Sequence, residues 1–192
     1  MFMATVTKQW TLAEVHSLPD DGNKYELVRG ELFVTPAPTP THETVIARLT
    51  RILDPYVERQ GLGLVYHAHA IMRFEGSEVE PDLFVSQLGA RAQVSWDDAP
   101  VPILVVETLS PSTRRRDQVQ KRSLYMDAGV AEYWMIDPER RVITAVRKER
   151  EDVVSTESMT WSPVSATEPL TFELSRVFGS IVHESLPPDG NG

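Results

Sequence analysis

The sequence predicts an α/β protein, a mixed sheet flanked by helices, and three observations predict it. Strand-like and helix-like segments alternate in the order strands, helix, strands, helix, strands. The run Ile103-Leu104-Val105-Val106 is almost continuously apolar, as in a strand covered on both faces. A chain of 192 residues, 41% apolar and 24% charged, suits one globular core and neither a disordered nor a fibrous protein. With no internal repeat or long linker, residues 1–185 are expected to form one domain. Residues 186–192, which carry Pro, Gly and Asn without periodicity, are expected to fray.

Taken in order, Thr11 to Leu18 reads as a short helix, and Tyr25 to Val34 as two strands about a tight turn at Arg29-Gly30. The Pro- and Thr-rich stretch Thr35 to Thr41 breaks regular structure and leaves Thr41 to cap a helix. In that helix Val45, Leu49, Ile52, Leu53 and Tyr56 recur at helical spacing, and Gly61 ends it. Leu62 to Phe74 and Val79 to Ser86 alternate like strands around a Glu75-Gly76-Ser77 turn. A loop from Gln87 to Pro102 follows, with Trp96 as a packing residue. Pro102 to Leu109 is the central strand. Ser110 to Thr113 supply hydroxyl caps for a helix from Arg114 to Ala128, which Gly129 closes. Ala131 to Ile136 and Val142 to Arg147 are strands about an Asp137-Pro138 turn, and Leu170 to Leu174 adds another.

The lack of cysteine excludes disulfides, thiolate metal sites and cysteine nucleophiles. Met1 to Trp10 has no apolar stretch with a processing site, and no run approaches the roughly 20 apolar residues of a membrane helix, so a cytoplasmic protein is expected. A net charge of −9 opposes indiscriminate binding to nucleic acid. Even so, Arg114, Arg115, Arg116, Lys121 and Arg122 lie close together, with Arg140, Arg141, Arg147 and Lys148 farther on. They form either a local basic face or an ordinary solvated surface.

Three residues carry most of the chemistry. Glu107 ends the apolar run Ile103 to Val106, and a carboxylate there loses water at a cost that a cation, a basic side chain or the open end of the sheet would lower. Asp82 follows Pro81 at the start of Leu83-Phe84-Val85. By itself it reads as a turn residue, whereas with Glu107 it makes a pair of hard oxygen ligands suited to magnesium or manganese. Lys121, Leu124, Tyr125 and Ala128 share one helix face, which turns Lys121 toward the sheet; the competing reading is an ion pair with Asp117 one turn earlier. Other constellations are weaker. His67 and His69 share a strand face but lack a third metal ligand, and His42 reads as a packed or capping histidine. Ser110, Ser112 and Thr113 stand outside any Gly-x-Ser-x-Gly elbow. A glycosidase would use two acids but no lysine.

Together these residues resemble the Uma2 family of restriction-endonuclease-like proteins, within the PD-(D/E)XK nuclease superfamily. The resemblance runs through Tyr25-Glu26-Leu27-Val28-Arg29-Gly30-Glu31-Leu32, Pro81-Asp82-Leu83 and Val105-Val106-Glu107-Thr108-Leu109-Ser110-Pro111-Ser112-Thr113. It continues from Asp117 through Lys121 to Tyr125, then through Gly129-Val130-Ala131-Glu132-Tyr133-Trp134 and Asp137-Pro138. It implies a restriction-endonuclease-like core and a divalent-metal site, Mg2+ or Mn2+, with Asp82 and Glu107 as ligands. In the superfamily pattern a lysine lies two residues beyond the acid, where this chain has Leu109; the lysine of this family lies on the following helix, and Lys121 matches it. Glu26 matches a further acidic position. The implied reaction is phosphodiester hydrolysis, with DNA as the expected substrate and a homodimer expected by analogy with the cutting of two strands. The alternative is a catalytically inactive nucleic-acid-binding or protein-interaction module on the same fold.

Overall fold

A computed structural model describes residues 8–67, 69–74, 76–87 and 95–179; the expected tail, 186–192, lies outside these residues. Thr11 caps helix α1 (Leu12–His16) in a capping box with Glu14. Strands β1 (Lys24–Val28) and β2 (Glu31–Thr35) form an antiparallel hairpin. Arg29 and Gly30 both have positive φ, 49° and 82°, as a two-residue turn matched to strand twist requires. Helix α2 (Pro40–Arg59) is capped by Thr39, not Thr41. The Thr39 side chain accepts from the His42 amide at 3.3 Å, and Pro40 presets the first helical φ.

The stretch expected as one strand from Leu62 to Phe74 is two strands in different sheets, β3 (Leu64–His67) and β4 (Met72–Phe74). Val79 to Ser86 likewise divides into β5 (Ser77–Val79) and β6 (Leu83–Ser86), with Pro81 between them. His69 lies outside both strands at φ 63°, so it shares no strand face with His67. Trp96 does pack, edge-on to Tyr66 and Phe84.

The apolar run becomes β7 (Leu104–Thr108). After it, α3 (Arg114–Arg116), a π-helical stretch (Asp117–Lys121) and α4 (Arg122–Asp127) follow without a break. They form the crossover to β8 (Tyr133–Asp137), which is parallel to β7. The remaining elements are β9 (Val142–Val146), β10 (Val153–Ser155), β11 (Ser158–Trp161), β12 (Leu170–Glu173) and α5 (Ser175–Phe178).

The principal sheet has the order β10-β9-β8-β7-β6-β3, and a second has the order β2-β1-β5-β4. Alternation along β7 explains its continuous apolarity. Leu104 and Val106 join α2, Trp134 and Trp161 in one core, while Val105 joins Phe84, Leu124, Tyr125 and Tyr133 in the other. Where β3 begins, Gly63 has φ +118° and lies so close to β6 that an added Cβ would stand 2.1 Å from the Ser86 carbonyl oxygen. Gly63→Ala is therefore expected to destabilise the fold by about 2–3 kcal/mol, from strain and clash together. Urea unfolding should show a lower midpoint with an unchanged slope; an unchanged midpoint would mean that the strand end can shift.

Candidate active site

Strand register brings the two acids together. Leu83 faces Val106 in the antiparallel β6–β7 pair, so Asp82, one residue earlier, comes opposite Glu107, on the face that carries Phe84 and Val105. The crossover helix then supplies the lysine. A π turn carries one extra residue, so positions five apart come into line, and Arg116, Asp117 and Lys121 are all buried. Lys121 Nζ donates to Glu107 Oε1 and Glu26 Oε1, both at 2.7 Å, and Glu107 Oε1 also accepts from Tyr125 Oη at 2.6 Å. Glu26 Oε1 accepts from the Glu80 amide at 3.0 Å. Its Oε2 is buried without a hydrogen bond, 3.5 Å from the Arg116 guanidinium. The competing Asp117–Lys121 ion pair gives way to these contacts, and Asp117 Oδ1 is instead 3.2 Å from Arg116 Nε.

Asp82 forms the more open end. Its Oδ2 accepts from the Thr108 amide at 2.7 Å and is 2.8 Å from His42 Nε2 in the first turn of α2. Its Oδ1 has only a 3.5 Å contact with Lys24 Nζ, which also donates to the Glu80 carbonyl at 2.9 Å. The Lys121 and Glu26 side chains have no exposure, whereas Lys24 is 22% exposed and His42 20%.

Burial and charge divide the acids. Burial pushes the Glu107 carboxyl up to about 7 although Lys121 draws it down, and the charge of Asp82 adds to the rise. Burial opposes ionisation of Asp82 too, but the His42 hydrogen bond and the Lys24 charge hold it well below the usual carboxylate range. Glu26 is lowered against burial by Lys121 and Lys24. Burial likewise works against the Lys121 ammonium, yet Glu107 and Glu26 hold its pKa above the ordinary value.

Glu107 thus has a folded pKa near 7, above its ordinary 4.5. The stability it contributes is complete below pH 4.5 and disappears as pH rises through about 7. His42 is also raised, burial being outweighed by Asp82, and so acts in the same direction above its ordinary 6.5. In metal-free buffer, urea stability is expected to decline from pH 4.5 to 7, and Glu107→Gln to flatten that decline. An equal slope in the variant would assign the titration elsewhere.

All four residues singled out from sequence, Asp82, Glu107, Lys121 and Glu26, come together. Lys24, His42, Tyr125 and Arg116 were not foreseen as members; the signal for Lys24 was its two-residue spacing from Glu26 on one strand face. Of the two readings of the basic residues, their pairing with acids argues against a local basic face. Arg114 pairs with Asp137 at 2.6 Å, Arg122 with Asp152 at 2.6 Å and Arg147 with Glu132 at 2.8 Å, while Arg116 and Lys121 point inward. Among the described residues, no three His, Asp or Glu side chains stand ready to hold a metal ion. The donor chemistry nevertheless suits a hard cation. Asp82 and Glu107 offer only oxygen, and Asp82 Oδ1 is held by nothing shorter than 3.5 Å.

A mixed sheet flanked by helices, with an acid pair at the β6–β7 junction and a lysine on the crossover helix, is the restriction-endonuclease-like fold. The chain belongs to the Uma2 family, described as "Putative restriction endonuclease", which matches residues 12–177. A solved structure from Anabaena variabilis, titled a putative nuclease belonging to DUF820, superposes with a TM-score of 0.72 at 20% identity. The match covers 88% of this chain and 97% of that one. Among curated proteins, none matches the chain. Among the described residues, no helix is long and apolar enough to cross a membrane.

Proposed function

We propose that the protein is a metal-dependent endonuclease that hydrolyses phosphodiester bonds in DNA, with Asp82 and Glu107 holding Mg2+ or Mn2+. One observation carries this reading: opposed carboxylates on neighbouring strands share a face with a buried lysine from the crossover helix. A divalent cation bound there supplies Lewis-acid polarisation of the scissile phosphate. The chain's own groups prepare the place. His42 and the Thr108 amide orient Asp82 so that Oδ1 is left for a ligand. Lys121 and Tyr125 hold one oxygen of Glu107, and Lys121 balances the charge of Glu107 and Glu26 before substrate arrives. In this reading residues 1–185 act as one domain, and the protein works as a homodimer in the cytoplasm, one site for each DNA strand.

The test is cleavage of single- and double-stranded DNA and RNA with Mg2+ or Mn2+ by the wild type and by Asp82→Ala, Glu107→Ala and Lys121→Ala. Metal-dependent cutting that all three variants lose would support the nuclease and identify its substrate. The enclosure of Lys121 and Glu26, together with the net charge of −9, favours the second reading, an inactive binding module. A folded wild type that cuts nothing in the panel, yet binds nucleic acid without metal even as Asp82→Ala, would establish that reading.

A further inference from the structure

The two lysines of the site differ in what they can still bind. Lys121 Nζ, with no exposed surface, is committed to two carboxylates at 2.7 Å, so a phosphate reaching it would have to displace buried acids. Lys24 opens β1, and its side chain lies on the same strand face as Glu26, two residues on. Its Nζ has one full-strength hydrogen bond, to the Glu80 carbonyl, and the 3.5 Å contact to Asp82 Oδ1. An ammonium has three donors, so Lys24 keeps at least one N–H for a ligand. The 22% exposure of its side chain places that capacity at the outer edge of the site. His42, a partly exposed basic group at this edge, faces Asp82 through Nε2, and its Nδ1, without a hydrogen bond, lies 3.5 Å from Glu43 Oε1.

From this geometry we propose that Lys24 contacts the substrate phosphate. The proposal rests on the nuclease reading. Lys24 Nζ donates to a non-bridging oxygen of the scissile phosphodiester, whose charge grows in the transition state, while Asp82 lies within 3.5 Å of the same ammonium. The phosphate thus enters over β1 and the first turn of α2.

The experiment compares wild type, Lys24→Gln and Lys24→Arg. Gln keeps a donor for the Glu80 carbonyl, and Arg keeps the charge. Binding of a 20-base-pair DNA duplex is titrated with salt in Ca2+, a hard cation that takes oxygen ligands, and cleavage is then measured in Mg2+. Lys24→Gln is expected to reduce the log–log salt slope by about 1. It should also reduce the cleavage rate about 100-fold, the loss of one charge-assisted contact in the transition state, with Lys24→Arg recovering the slope and most of the rate. A wild type that cuts, beside a Lys24→Gln with the same slope and rate, would overturn the role of Lys24 and leave the nuclease standing. A wild type that neither binds nor cuts the duplex would overturn the nuclease reading and this proposal with it.

Discussion

Lys121→Met is expected to lower the folding free energy by about 3–5 kcal/mol, because it removes the ammonium that compensates two enclosed carboxylates. Lys121 and Glu26 have no exposure and Glu107 almost none, so water cannot replace the lost charge. Methionine fills nearly the same volume, which leaves electrostatics as the main change. The consequence should reverse in part when one acid is neutralised in the same chain. Lys121→Met combined with Glu26→Gln is therefore expected to be more stable than Lys121→Met alone, with a coupling of the two sites well above the few tenths of a kcal/mol of independent positions. Urea unfolding at pH 7.5 measures both. A Lys121→Met midpoint equal to that of the wild type would mean that Glu26 and Glu107 are neutral or hydrated in the folded protein.

Asp82→Asn is expected to cut metal-dependent cleavage about 1,000-fold, or about 4 kcal/mol of transition-state stabilisation, the scale of losing a cation's Lewis acidity. The amide keeps an oxygen for the Thr108 N–H, so the fold should survive. It loses the charge that makes Oδ1 a good ligand for a hard cation. Calorimetric titration with Mn2+ should show weakened binding in parallel with the lost rate. Full activity with weakened Mn2+ binding would place the productive cation elsewhere, and full activity with unchanged binding would remove Asp82 from the site.

Much of this arrangement was legible along the chain. The stripe Val45, Leu49, Ile52, Leu53 and Tyr56 became the buried face of α2, and Ile103 to Val106 announced the strand covered on both sides. Lys121 pointed inward because it shares a face with Leu124 and Tyr125. Pro81 and the turn at His69 were less readable. Apolar alternation persists on both sides of them while the strands belong to different sheets, so Leu62 to Phe74 looked like one element. The arginines stayed open between a basic face and an ordinary surface for a related reason: Arg114 and Arg122 are near neighbours in sequence, yet each meets an acid from a separate strand or loop.

By itself the sequence determined most of the helices and strands, the inward face of the helices and the family to which the chain belongs, because periodicity, caps and motifs are local. Tertiary structure alone decided which charges meet. Glu26 and Lys121 are 95 residues apart, and only the pairing of β1 with β5 and the docking of the crossover helix place them 2.7 Å apart. The enclosure of Lys121 and the open donor of Lys24 follow from the same assembly. Burial and the partner of a charge are properties of surfaces brought together by strand pairing, and periodicity within one segment fixes the face of a strand without naming its neighbour.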